Sequence, residues 1–137
     1  MAADARPEQV LRTVFRRSTA CALVLLGAAG MPVQGHHSAA MFDDSKRMTL
    51  SGTVREFQWG NPHCYIQLMI EQPKGPAIEW SLEMGAPNYL YTLGWRPSTL
   101  KAGEKISVKI APLRKGGAGG LVLEVTKADG RHFGGKQ

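Results

Sequence analysis

Short runs of alternating apolar and polar residues dominate the chain from residue 48 onward. In the first run, even-numbered residues from Met48 to Glu56 lie on one face, and odd-numbered residues from Thr49 to Phe57 lie on the other. A period of two with one mainly apolar face is typical of a half-buried strand. Similar runs predict four further strands, at 64–71, 77–84, 105–111 and 121–127.

One segment between the third and fourth runs has a different pattern. Residues 86–95 predict a short helix, in which Pro87 suits the first turn because its missing N–H costs nothing there. Gly94 then ends the helix. The remaining breaks contain turn residues, and the glycines at 116–120 predict a flexible loop.

Three strands, a short helix and two strands are the element order of an OB-fold, a small five-stranded barrel. We therefore predict an all-β domain with one short helix, an OB-fold-like barrel at 48–127. Another small barrel or a sandwich, with the helix misassigned, is the alternative. Eight side chains are predicted to be mostly buried in the barrel: Val54, Ile66, Leu68, Trp80, Leu82, Ile106, Val108 and Val125.

The first 35 residues have the pattern of a secretory signal peptide. Arg16 and Arg17 precede an apolar run of about ten residues, which is too short to span a bilayer, and Pro32 then interrupts the chain. We expect cleavage after Gly35 and a periplasmic protein with no membrane span once the signal is removed. The mature chain would comprise a flexible arm at 36–47, the barrel, and a polar, flexible tail at 128–137.

Charge and cysteine content narrow the function classes. The chain has 17 basic and 11 acidic residues, of which 13 and 9 follow residue 35. The basic residues are scattered, so no nucleic-acid-binding stripe is visible. Removal of the signal takes away Cys21 and leaves Cys64 without a disulfide partner, so we interpret Cys64 as a small buried apolar residue.

Five short motifs run through the predicted mature chain: His36-His37-Ser38, Gly52-Thr53-Val54, Trp59-Gly60-Asn61-Pro62-His63, Glu79-Trp80 and Gly94-Trp95. With these motifs the chain resembles small exported bacterial proteins that are classed as a domain of unknown function. The resemblance covers nearly all of residues 36–131. It implies export and supports a barrel, and it brings no established activity.

No motif for an enzyme is recognisable in the sequence. No Ser-His-Asp order can be placed, and the glycines at 116–120 lack the Lys-Ser/Thr of a phosphate loop. Glu79 and Glu83 lie four apart on one predicted strand, so both are expected to face solvent. Glu83 is the better functional candidate, because it lies at the end of its strand. We therefore expect a binding protein rather than an enzyme.

The histidines give the most specific chemical signal. Cleavage after Gly35 would place His36 at the new N-terminus, where its α-amine and imidazole form a chelate that suits Cu(II). His37 would add a second imidazole, or would chelate through the backbone amide that precedes it. His63, in the turn at the barrel rim, is the candidate for a further ligand. Copper, or a similar borderline metal, is thus the expected cofactor.

Three alternatives remain open at this stage. Cleavage one residue earlier would still give a Cu(II) chelate, with His37 in third place, whereas cleavage after Gly30 would weaken the site. The histidines could instead belong to a disordered arm, with His63 hydrogen-bonded within its turn. In that case the protein would be a module that docks a periplasmic protein or a glycan. Its surface would include Trp59, Asn61 and Glu83, with Trp80 alongside.

Overall fold

The computed structural model describes residues 39–135, so the predicted signal peptide lies outside the described residues. A single 3-10 turn, Ala39–Met41, precedes the first strand. The strands are β1 (Met48–Gln58), β2 (Tyr65–Ile70), β3 (Ile78–Glu83), β4 (Lys105–Pro112), β5 (Gly119–Lys127) and β6 (His132–Gly134). The α-helix α1 (Pro87–Thr92) lies between β3 and β4.

Strands β1 to β5 close into a barrel. β1 pairs antiparallel with both β2 and β4, β2 pairs with β3, and β4 pairs with β5. The parallel pairing of Ser81–Glu83 in β3 with Gly119–Leu121 in β5 completes the circle. Together with the position of α1, this closure confirms the predicted OB-fold-like barrel.

The barrel interior contains the predicted core. Seven of the eight side chains predicted to be buried are at most 4% exposed, and Trp80 is half-buried against the same core. Trp95 is also fully buried. Its Nε1 donates a hydrogen bond to the backbone oxygen of Gly134 at 2.7 Å, so the buried indole N–H is satisfied.

Helix α1 begins at Pro87 as predicted and is shorter than predicted at its other end, because it stops at Thr92, two residues before Gly94. Pro87 occupies its first position, and Gly94 beyond its end adopts φ = +87°. Glycine adopts this left-handed conformation without the steric cost that a Cβ would impose. The chain therefore turns back at Gly94, where the backbone N–H of Trp95 donates to the oxygen of Leu90 at 3.0 Å.

The predicted alternation along β1 is wrong beyond Val54. The register between β1 and β2 shifts between Val54 and Glu56, which marks a β-bulge at Arg55. The extra residue of a bulge reverses the alternation that follows. Glu56 is consequently exposed, and Phe57 packs against the core instead of facing solvent.

The glycine-rich loop is shorter than predicted, because Gly119 and Gly120 already belong to β5. A Cβ on Gly120 would lie 2.6 Å from Ile110 Cδ1 and 2.9 Å from the backbone oxygen of Ala111. Contacts this short require glycine at position 120. These two glycines therefore allow the close strand approach that closes the barrel.

The prediction of a loose tail from residue 128 is wrong for its middle part. β6 pairs with β5, and the ring of Phe133 lies 4.9 Å from that of Trp95 between centroids. The tail is ordered here because it covers a buried indole and accepts its hydrogen bond.

The described part of the arm packs on the barrel. Phe42 is 3% exposed and forms a small second apolar cluster with Ala111 and Leu121. The backbone N–H of Asp43 donates to Pro112 at 2.8 Å, and the N–H of Arg114 donates to Met41 at 2.9 Å. The arm is thus fixed to the end of β4 before β1 begins.

Candidate functional site

The turn at 59–63 connects β1 to β2 and contains three predicted site residues. Its Asn61–Pro62 peptide bond is cis, and Asn61 is exposed. Trp59 is half-buried, with ring centroids 5.6 Å from Phe57 and 5.1 Å from Tyr91. The indole thus anchors the turn on the barrel, and His63 follows at the turn's end.

His63 lies at the rim of the barrel, with 28% of its side chain exposed. Its Nδ1 is hydrogen-bonded to Oε1 of Glu83. Its Nε2 makes no hydrogen bond to any residue in the range 39–135. Glu83 thus holds one nitrogen of the imidazole, and the other has no hydrogen-bond partner among these residues.

Glu83 is only 9% exposed, which corrects the expectation that it faces solvent as Glu79 does. Glu79 is indeed exposed and forms an ion pair with Arg55 at 2.9 Å. Glu83 differs because it ends β3 opposite Tyr65 of β2, whose hydroxyl donates to Oε2 at 3.3 Å. His63 covers the other carboxylate oxygen.

The Tyr65 hydroxyl is suited to remain a donor. Burial raises its pKa first, and the negative charge of Glu83 raises it further. The phenol therefore stays protonated across the physiological pH range and continues to donate to the carboxylate.

A cavity of about 270 Å³ adjoins Glu83 and Tyr65. It lies between the arm and the barrel, because Met41 and Phe42 also form its wall. Its other lining residues are Ser81, Leu113, Ala118, Gly119 and Gly120. Met41 and Phe42 of the arm thus lie on the wall of the same cavity that Glu83 and Tyr65 line.

Cys64 has no place in this site. It directly precedes β2 and is fully buried in the core, and burial raises the pKa of its thiol. Because the thiolate is the form that attacks or binds a metal, a raised pKa disfavours both roles. The prediction that Cys64 is a small buried apolar residue is confirmed.

A second cavity, of about 430 Å³, lies against β1, β4 and β5. Ser51, Ser107 and Thr126 are register neighbours across these strands, and their side chains line the cavity together with Thr53 and Lys105. None of the predicted site residues within 39–135 lines this cavity.

The structure brings His63 and Glu83 together, although the sequence presented them as separate candidates. Sequence reasoning missed Tyr65. Along the sequence, Tyr65 and Glu83 are equally far from Lys74 in the predicted turn. Antiparallel pairing of the two strands around that turn places these residues opposite each other. His36 and His37 lie outside the described residues. Within 39–135, no three His, Cys, Asp or Glu side chains form a group that could hold a metal ion.

The sequence also matches a family of unknown function, DUF6152, over residues 23–124. The chain belongs to this family. The DUF6152 match includes the turn, Tyr65 and Glu83, and it ends before β6. No curated protein and no solved structure gives a significant match. Within residues 39–135, no helix is long and apolar enough to cross a membrane.

Proposed function

We propose that the protein is exported to the periplasm, loses residues 1–35, and binds Cu(II) with its new N-terminus. The ligands are the α-amine and imidazole of His36, a nitrogen of His37, and the imidazole of His63. Nitrogen ligands in a plane suit the tetragonal geometry of Cu(II). Storage or delivery of the metal fits a chain without a recognisable catalytic motif.

The orientation of His63 is the observation that carries this proposal. Metal-binding histidines commonly donate their second ring N–H to a carboxylate or a backbone oxygen. His63 has this arrangement, since Glu83 holds Nδ1 and Nε2 is free of hydrogen bonds within 39–135. Its partial exposure of 28% allows a ligand to approach from the rim.

The length of the arm is compatible with a shared site. Met41 lines the cavity beside Glu83, and His37 precedes Met41 by four residues. An extended segment of that length spans about 13–14 Å. We therefore expect the arm to be long enough for the new N-terminus to bind a metal near the cavity that Glu83 lines.

A Cu(II) titration of three chains tests the proposal. One begins at His36, one at Gly35, and one at Met31, which places both histidines well inside the chain. We expect tight binding by the first two, because each has a terminal chelate. The third should bind roughly 100-fold more weakly, about 2.7 kcal/mol at 25 °C, because its amine is too distant to share the metal.

Two matched substitutions in the chain that begins at His36 identify the barrel ligand. His63→Ala should weaken Cu(II) binding about tenfold, or 1.4 kcal/mol. His132→Ala should have no effect, because His132 lies on β6 and bonds Thr126 instead. Equal affinities for the chains that begin at His36 and Met31 would refute the terminal site.

Binding should also depend on pH. The metal displaces protons from the amine, whose reference pKa is about 7.7–8.0, and from the imidazoles. Affinity should therefore fall steeply from pH 7 to pH 5 in the chain that begins at His36. A pH-independent affinity would mean that other groups bind the metal.

A docking surface for a periplasmic protein or a glycan is the second candidate. The aromatic residues that suggested it, Trp59 and Trp80, both pack against the barrel core. Among residues 39–135, the large aromatic side chains that are exposed are those of Tyr89 and Tyr91 of α1, at 37% and 45%. If the titration shows no Cu(II) binding by the new N-terminus, a docking surface becomes the better hypothesis.

A further inference from the structure

We propose that Glu83 is a positioning residue that, together with Tyr65, holds His63 in the tautomer whose Nε2 binds the metal. This inference rests on the proposed function and adds the residue that selects the binding nitrogen.

The fold places the three side chains on one face of the β2–β3 hairpin. His63 and Tyr65 are two residues apart, so they project to the same side, whereas Cys64 between them projects into the core. Tyr65 and Glu83 are register partners across the hairpin. The carboxylate therefore lies between two donors that the strand pairing itself brings to it.

Glu83 depends on these donors for its solvation. A buried carboxylate is costly unless hydrogen bonds replace the water that it loses. No Lys or Arg within 39–135 pairs with Glu83, and the partners of its side chain are His63 and Tyr65. The contact is thus selective for a histidine that presents a proton at Nδ1.

The contact with Glu83 determines which nitrogen of the His63 imidazole carries the proton. An ionised carboxylate accepts hydrogen bonds and donates none, so Nδ1 of His63 must carry the proton. In the neutral imidazole the lone pair then lies on Nε2. A metal needs that lone pair, so Glu83 prepares His63 for coordination before the metal arrives.

The first test is the tautomer of His63 in the metal-free protein, measured by ¹⁵N NMR of the imidazole. In the wild type, Nδ1 should carry the proton. Glu83→Gln should shift the population towards the Nε2–H tautomer, because an amide donates as well as accepts. Glu79→Gln, on the same strand but exposed and paired with Arg55, is the control and should leave the tautomer unchanged.

The second test is the Cu(II) affinity of the chain that begins at His36. Glu83→Gln should weaken binding by no more than the roughly tenfold loss expected for His63→Ala, and it should have no further effect when His63 is already Ala. Unchanged affinity in Glu83→Gln, beside a loss in His63→Ala, would overturn this inference and leave the proposed function intact. An equal loss with and without His63 would also overturn it, since Glu83 would then act by another route.

Tyr65→Phe is a second, milder variant, which keeps the inference testable if the Glu83→Gln protein does not fold. It removes one hydroxyl and keeps the ring, and it should cause a smaller loss of affinity that again requires His63. A Tyr65→Phe protein with unaltered tautomer and affinity would show that Tyr65 has no part in positioning His63. A failure of the proposed terminal chelate has a different signature. The chains that begin at His36 and at Met31 would then bind Cu(II) with equal affinity.

Discussion

Asp43 holds the arm where it meets the barrel. Its Oδ1 accepts hydrogen bonds from Ser45, the hydroxyl at 2.6 Å and the backbone N–H at 3.2 Å. Its Oδ2 pairs with Lys46 at 3.1 Å. Hydrogen bonds from Ser45 and then Lys46 lower the pKa of Asp43 from 3.8 to about 2.

This lowered pKa predicts a contribution to stability with a defined pH window. The unfolded chain binds the proton more tightly than the folded chain does, so protonation favours unfolding. The contribution is complete above about pH 4 and is lost as the pH falls towards about 2. Asp43→Asn should therefore make the melting temperature less dependent on pH in that window.

The control for this prediction is Asp44→Asn, because the Asp44 side chain makes no hydrogen bond or ion pair to residues 39–135. Thermal unfolding followed by circular dichroism between pH 2 and 5 would measure the difference. If the melting temperatures of the wild type and of Asp43→Asn fell equally as the pH is lowered, the contribution of Asp43 to stability would be contradicted.

Single residues also show how far the sequence determined the candidate site. The sequence identified His63 and Glu83 by residue type and by position near a turn. It could not show that they touch, because alternation assigned Glu83 to the solvent side. Its burial depends on Tyr65, on the turn that carries His63, and on the closure of β3 against β5.

Among the elements, β1 shows where an alternating pattern stops being informative. The run to Phe57 looks regular, and nothing in it marks the bulge at Arg55. The bulge becomes understandable only from packing, since it turns Phe57 towards Trp59 and Trp95. Helix α1 was predictable because Pro87 and Gly94 act locally on the backbone.

The arm segment gives a prediction at the same scale. Phe42→Ala should lower the free energy of unfolding by about 3 kcal/mol, because the ring is almost fully buried against Ala111 and Leu121. Met41→Ala, at a residue with 41% exposure, is the control and should cost little. Urea denaturation measures both, and equal small losses would show that the arm is not anchored by Phe42.

At the scale of the whole molecule, the order of the elements predicted the barrel topology. The main error concerned the tail, which was predicted to be flexible and contains β6. The barrel follows from three strands, a helix and two strands, each visible as a local pattern. The sixth strand, His132–Gly134, is too short and polar to give such a pattern. Its order comes from the distant Trp95, which the sequence alone does not connect to it.

A chain that ends at Arg131 should therefore be less stable by about 3–4 kcal/mol. It leaves the indole N–H of Trp95 without its acceptor and uncovers the ring. His132→Ala removes an exposed side chain and its exposed hydrogen bond to Thr126, and should change the free energy of unfolding little. A truncated chain with the unfolding midpoint of the full one would show that β6 does not stabilise the barrel.

The proposed copper site concerns the whole processed chain, because its ligands would come from both the new N-terminus and the barrel. Electron paramagnetic resonance with one equivalent of Cu(II) tests it most directly. The chain that begins at His36 should give a tetragonal spectrum with nitrogen couplings, and His63→Ala should alter those couplings. The chain that begins at Met31 should give a different spectrum. Identical spectra from the two chains, or a spectrum without nitrogen couplings, would contradict the account.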